Sequence, residues 1–176
     1  MTRLLIVLFF IAAYPALAQV QLPTDANGQV QFQELVRLTD KTRPSKQVFS
    51  QSQAWAERYF KPANEPEVQP DLANGVLFVR GVYPIGEQFV RFTMLIEAKM
   101  GRYRATITDL IAENNGLLAP IQPNNATADD MQRAGGTQIA NPAVVETVAN
   151  QQAELYKALD AVCRDTLNNL KTALNG

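Results

Sequence analysis

Gln88-Phe89-Val90-Arg91-Phe92-Thr93-Met94-Leu95-Ile96-Glu97-Ala98-Lys99, followed across Met100-Gly101 by Arg102-Tyr103-Arg104-Ala105-Thr106-Ile107-Thr108-Asp109-Leu110-Ile111, is the stretch that decides the fold. Val90, Phe92, Met94, Ile96 and Ala98 share one parity; Arg91, Thr93 and Glu97 take the other, with Leu95 as the exception. In the second segment Tyr103, Ala105, Ile107 and Ile111 oppose Arg104, Thr106 and Thr108. A period of two predicts strands with one buried and one polar face. Met100-Gly101 is far too short for a parallel crossover, which needs about a dozen residues, so the two strands are antiparallel neighbours. Such a sheet takes its helices on the apolar face and leaves the polar one open.

The pattern extends upstream. Val76 to Tyr83, closed by Pro84-Ile85-Gly86, predicts a third strand of the same meander, and Asn74-Gly75 a tight turn before it. Pro66 and Pro70 confine any strand between Asn64 and Gly75 to an edge. Val30, Phe32, Val36 and Leu38 share a parity broken by Glu34, which predicts another strand. Between these, Ser45 is placed to N-cap a helix that runs to about Lys61 without internal Pro or Gly, and Pro62 stops it. Val48, Phe49, Ser52, Trp55, Ala56, Tyr59 and Phe60 form one stripe on it, the pattern that pins a helix to a sheet.

Downstream the composition changes. Residues 114–141 are dominated by Asn, Gly, Pro, Gln and Ala, with Leu117, Leu118 and Ile121 the apolar cluster near their start. They predict a flexible linker, unusually long for a compact domain. Asn125-Ala126-Thr127 matches a glycosylation sequon, read here as chance. Residues 142–175 then predict a long helix with Pro142 in its first turn. Val145, Val148, Gln152, Leu155, Leu159, Val162 and Thr166 follow a 3-4 spacing that Leu170 and Leu174 continue. The helix would span roughly 50 Å, more than a small sheet covers. Two placements fit: packing along the sheet and first helix, or pairing with a second copy as a coiled-coil seam.

At the other end, residues 1–18 read as a secretory signal peptide: Arg3, the apolar run Leu4 to Ala13, a break at Tyr14-Pro15, and Ala16-Leu17-Ala18 before Gln19. The run is too short for a spanning helix, and no later stretch predicts an integral membrane segment. What remains is an exported chain, periplasmic or secreted. In that setting the single Cys163, flanked in helical spacing by Leu159, Val162 and Leu167, reads as a buried core residue.

Residue inventory narrows the chemistry. The 176 residues hold no histidine and one cysteine, with 16 basic against 17 acidic side chains. This excludes His-based triads, His-ligated metals and an intrachain disulfide, and a net charge of -1 argues against nucleic acid as a partner. No cofactor-binding motif occurs. Asp129-Asp130, the adjacent acidic pair, falls in the predicted linker, and Glu65, Glu67 and Asp71 lack the pattern of a calcium loop. Arg80, Arg91 and Arg104 come from three consecutive predicted strands on the polar face, with Arg102 on the parity of Arg104. They are the candidate ligand-binding residues, suited to an anionic group. The competing reading is a solvated face whose arginines pair with Glu97 and Glu87.

Several segments together resemble a known family. Val30-Gln31-Phe32-Gln33-Glu34-Leu35-Val36, then Ala54-Trp55-Ala56-Glu57-Arg58-Tyr59-Phe60 on the helix opened by Ser45, then Gly101-Arg102-Tyr103-Arg104 leading into Thr106-Ile107-Thr108-Asp109, are similar to a domain of unknown function from exported Bacteroidota proteins with a TATA-binding-protein-like fold. The resemblance covers roughly Leu22 to Glu113. It implies an α+β domain at residues 19–113, with a curved antiparallel sheet of four to five strands and helices on one face. It carries over no activity and no site residue, and a fold name is no ground for DNA binding.

The expectation is therefore an exported non-catalytic binding or assembly module of the bacterial cell envelope, with an unknown protein or anionic envelope ligand as partner. In its sharper form the last helix mediates self-association. Two other readings stay open: an anionic-ligand-binding domain using the open sheet face, and a small carboxylate-dependent hydrolase.

Overall fold

A computed structural model describes residues 19–60, 66–114, 116–135 and 141–176. In chain order they form β1 (Phe32–Arg37), α1 (Ser45–Tyr59), β2 (Glu67–Asp71), β3 (Val76–Ile85), β4 (Gln88–Lys99), β5 (Arg102–Asn114), β6 (Leu117–Pro120), α2 (Ala128–Gly135) and α3 (Pro142–Asn175). The predicted leader, residues 1–18, lies outside the described residues. Among those described, no helix is long and apolar enough to cross a membrane.

The sheet is antiparallel throughout, in the order β1-β5-β4-β3-β2. β1 pairs with the first half of β5, and β6 with its last four residues. β2 lies at an edge, the position a strand containing Pro70 tolerates. The predicted alternation places Val90, Phe92, Met94, Ile96 and Ala98 of β4 in the core, with Tyr103, Ala105 and Ile107 of β5.

Beyond Ile107 the alternation breaks. The register steps from Thr93↔Thr108 to Arg91↔Ile111, so Asp109 and Leu110 together face Phe92. This is a β-bulge, with Asp109 at φ 53. Leu110 takes the core position and Ile111, expected there, turns to the open face. A period-two count carries no sign of the extra residue.

α1 lays Val48, Phe49, Ser52, Trp55 and Ala56 on the sheet. Ser45 is its first helical residue and not its cap: Pro44 holds the N-cap position with extended backbone and no side-chain bond. The rings meet across the layer. Tyr83 stacks on Phe92 at 4.1 Å between centroids, and Phe60 lies 5.4 Å from Phe92. Gly81 makes room for this, since a Cβ there would stand 2.8 Å from the Phe92 ring.

Of the two placements open to the last helix, α3 packs within the chain. Leu155, Leu159, Cys163, Leu167, Leu170 and Leu174 enter the same core as the sheet and α1. Trp55 Nε1 donates to Asn169 Oδ1 at 2.8 Å. The Tyr83 hydroxyl donates to Thr166 Oγ1 at 3.1 Å, and Thr166 in turn donates to the Val162 carbonyl. We expect Thr166→Val to lower the unfolding free energy by about 1–3 kcal/mol in urea titration, because it strands the buried Tyr83 hydroxyl.

The extra length of α3 is covered by residues 116–135, the described part of the segment expected to be a flexible linker, which carries a strand and a helix. Leu117–Pro120 forms the sixth strand. Ile121 is buried, its N–H bonded to the Leu110 carbonyl at 2.9 Å. Asn125, also buried, accepts the Val20 N–H at 2.7 Å and so is no exposed glycosylation acceptor. Thr127 and Asp130 form a reciprocal cap on α2, which packs on α3 beside Val145, Ala149 and Ala153. Residues 115 and 136–140 lie outside the described ones. The segment is held by backbone bonds and single anchors, so it needs few apolar residues and shows no periodicity.

The turn Met100-Gly101 locks β4, β5 and the β1–α1 connection together. Leu38 N–H donates to the Gly101 carbonyl, and Gly101 N–H to the Arg43 carbonyl, each at 2.9 Å. Gly101 has φ +62, and a Cβ would lie 2.2 Å from the Lys41 carbonyl oxygen. Gly101→Ala combines a left-handed residue with a backbone clash, an expected loss of about 2–4 kcal/mol by the same titration.

Candidate functional site

No described element lies on the open face of the sheet, whose side chains form rows set by the strand register. Gln69 of β2, Phe78 of β3, Leu95 of β4, Thr106 of β5 and Gln33 of β1 make one row. The next toward the β4–β5 turn is Asp71, Val76, Glu97, Arg104 and Leu35. On the other side come Glu67, Arg80, Thr93 and Thr108, then Val82, Arg91 and Ile111.

All three candidate arginines stand on this face, but not as one cluster. Arg80 and Arg91 line a shallow depression of about 510 Å³ together with Val82, Phe89, Ile111 and Glu113. Arg104 lies opposite Glu97, six positions along β4 from Arg91, roughly 20 Å away. Each guanidinium already holds a carboxylate. Arg80 Nη1 is 3.3 Å from Glu67 Oε2. Arg91 donates from Nε and Nη2 to Glu113 Oε2 at 2.9 and 2.6 Å. Arg104 grips Glu97 with both Nε and Nη2. Glu97 is thus a partner as expected, while Glu67 and Glu113 take the place expected of Glu87. The hydrogen bond from Arg104, then its charge and that of Lys99, hold the Glu97 carboxyl below its ordinary value.

What lies between the pairs was not foreseen in the sequence. Val76, Phe78, Val82, Leu95 and Ile111 are half-buried on this face, and Phe89 is 49% exposed. The open face is therefore an apolar strip bordered by neutralised arginines. Val76 to Val79 reads as one continuous apolar run, which hides which two residues face outward. Ile111 arrives there only through the bulge.

Other chemical candidates have settled structural places. Asp130 caps α2, and its carboxyl is held low by the Thr127 hydrogen bonds. Asp71 accepts from Asn74 in the β2–β3 turn. Glu65 lies outside the described residues. Cys163 is fully buried, and burial pushes its thiol up. Among the described residues no group of three or more His, Cys, Asp or Glu is placed to hold a metal.

A single antiparallel sheet with helices on one face and the other left open defines an α+β protein of TATA-binding-protein-like fold. Two solved structures from Bacteroidetes share it. A TBP-like protein from Parabacteroides distasonis is 16% identical, with 85% of this chain and 96% of that one covered at a TM-score of 0.52. A DUF4468 family protein from Bacteroides ovatus is 12% identical, with 87% and 90% covered at a TM-score of 0.60. At these identities the likeness is one of fold, the one that the Trp55 helix and the Gly101–Arg104 hairpin imply. No protein-family model and no curated protein matches the chain.

Proposed function

We propose that this chain is an exported, non-catalytic binding module of the bacterial cell envelope that receives a protein partner on the open face of its sheet. The observation that carries this is the strip of Val76, Phe78, Leu95, Val82 and Ile111, bordered by arginines whose charges Glu67, Glu97 and Glu113 balance. An apolar centre with Arg at the border is the make-up of a protein interface. A free anion would have to displace a carboxylate from each guanidinium. Export is supported by the Leu4–Ala13 run and Ala16-Leu17-Ala18, and N-terminal sequencing of the chain made in its host should begin at Gln19.

A photo-crosslinking residue at Leu95, compared with one at Lys157 on the solvent side of α3, tests the binding face in cells. One discrete adduct from Leu95, lost on Phe78→Asp, is the expected result. Equal labelling from both positions, or none from either, would remove the proposal.

The anionic-ligand reading keeps Arg80 and Arg91, which share the depression, and loses Arg104. A thermal shift with citrate that disappears in Arg91→Ala would favour it. The hydrolase reading gains nothing from Asp129-Asp130, since Asp130 serves as a helix cap. For self-association through α3, the inner stripe is already used; Val144 and Val148, 57% and 45% exposed, are what the helix still offers. Light scattering on the chain and on Val148→Lys decides whether they suffice.

A further inference from the structure

One end of the sheet collects a set of side chains that the open-face reading does not use. The β2–β3 turn and the β4–β5 turn lie side by side there, joined by the Ala98 N–H bonded to the Gly75 carbonyl at 2.9 Å. Their tips present Leu72 and Met100, 77% and 68% exposed. Between them runs a groove of about 760 Å³ with Phe49 and Ala98 in its lining, where Lys46 also stands. The last row of the sheet is Arg37, Arg102 and Lys99, three cations directly opposite one another across β1, β5 and β4. The backbone of Lys41 lies against Gly101 in the same turn.

These five cations, Arg37, Lys41, Lys46, Lys99 and Arg102, are all exposed, and none has a carboxylate within 4 Å among the described residues. Nearby carboxylates are engaged elsewhere. Asp40 accepts from Thr42 and lies 3.9 Å from Arg43, Asp71 is held by Asn74, and Glu97 by Arg104. Like charges directly opposite on a sheet cost stability unless something outside answers them. Among the described residues no carboxylate stands within 4 Å to do so, and Glu97, whose charge Lys99 feels, is already gripped by Arg104.

We infer that this end of the sheet docks on a bilayer bearing anionic headgroups, with Leu72 and Met100 entering the interface and the five cations meeting the phosphates. Protruding apolar tips ringed by unpaired Lys and Arg match the two forces a bilayer surface offers, apolar insertion and a negative surface potential. A protein partner fits less well, because lysine is depleted in protein interfaces and three of these five cations are lysines. The last row of this surface follows directly on the Val76–Glu97–Arg104 row of the open face, so the two readings are told apart by their probes: Leu95 and Phe78 for the protein partner, Leu72, Lys99 and Arg102 for the bilayer.

Vesicle co-sedimentation tests it, using residues 19–176, which contain every described element and omit an apolar run that would itself bind lipid. The chain should pellet with phosphatidylcholine vesicles containing phosphatidylglycerol, remain in the supernatant with phosphatidylcholine alone, and be released by salt. Each cation near such a surface is worth about fivefold, so Lys99→Gln with Arg102→Gln should weaken binding about 25-fold. Leu72→Ser, with every charge kept, should weaken it about tenfold. All three positions are exposed, and circular dichroism confirms that the variants fold. Absence of binding to the anionic vesicles at low salt, or binding that these variants leave unchanged, would overturn the inference. So would a dimer in solution, abolished by Lys99→Gln and Arg102→Gln, from a chain that ignores every vesicle; it would assign the surface to a second copy.

Discussion

A chain ended before Pro142 is expected not to fold. The reason lies in the core, where Leu155, Tyr156, Leu159, Cys163, Leu167, Leu170 and Leu174 are each buried among side chains of the sheet and α1. Burying a large apolar side chain contributes about 1.5–3 kcal/mol, so removing the set costs on the order of 10–20 kcal/mol, as much as the whole stability of an ordinary domain. Polar bonds are lost as well. Trp55 Nε1 loses Asn169, Tyr83 loses Thr166, and Arg43 loses the Leu174 carbonyl. Circular dichroism and tryptophan fluorescence should show a chain without fixed tertiary structure. Leu159→Ala gives the graded version: the residue is fully buried, and the expected loss is about 2–5 kcal/mol by denaturant titration. A truncated chain that melts cooperatively would show that α3 is an appendage and that the sheet with α1 is complete alone.

This dependence on α3 also marks where sequence reading runs short. The meander β3-β4-β5 was legible because β4 and β5 alternate for several residues and all three strands lie between unmistakable turns, Asn74-Gly75, Pro84-Ile85-Gly86 and Met100-Gly101. Burial of the Trp55 stripe was legible for the same reason at helical period. The role of residues 116–135 was not, because pairing of β6 on β5 uses backbone groups that every residue carries. Leu117 and Leu118 of β6 are exposed, so even its apolar residues do not mark a buried face. The α3 stripe was legible as apolar, but a stripe does not name its partner; the same leucines would suit a sheet or a second helix. The candidate site was legible in part. Parity put Arg80, Arg91 and Arg104 on one face, but spacing along the strands depends on register. Register separates Arg104 from the others and gives each arginine its own glutamate.

Stability should fall steeply in alkali, and the buried acids of the core say how steeply. The Tyr83 hydroxyl is held protonated first by burial, then by the neighbouring Cys163 and Tyr59, against the weaker pull of its Thr166 bond. Burial does the same to Tyr103, with Glu34 adding to it, and to Tyr156, where the Gln122 N–H opposes it. Cys163 is pushed up by burial and by Asp160. All four are acids whose folded-state values lie above those of the unfolded chain. Their contribution is fully present below the unfolded values and is lost as pH rises from about 9, where thiol and then phenol groups of the unfolded chain begin to ionise. Over the window in which the unfolded group is ionised and the folded one is not, each removes about 1.4 kcal/mol per pH unit. With several groups in that window together, the loss reaches about 4 kcal/mol per unit or more. Urea midpoints measured from neutral pH upward should therefore drop sharply, and the tyrosinate absorbance that Tyr83→Phe, Tyr103→Phe and Tyr156→Phe each remove should rise with unfolding and not ahead of it. Tyr103 separates this cause from general charge repulsion, because its hydroxyl is buried with no hydrogen-bond partner among the described residues. Tyr103→Phe removes a desolvated polar group and its titration at once. It should match or exceed the parent in stability at neutral pH, and its alkaline slope should be shallower by one proton. A slope unchanged by Tyr103→Phe, or native-state tyrosinate that Tyr103→Phe abolishes, would mean that the Tyr103 side chain reaches water in the folded protein.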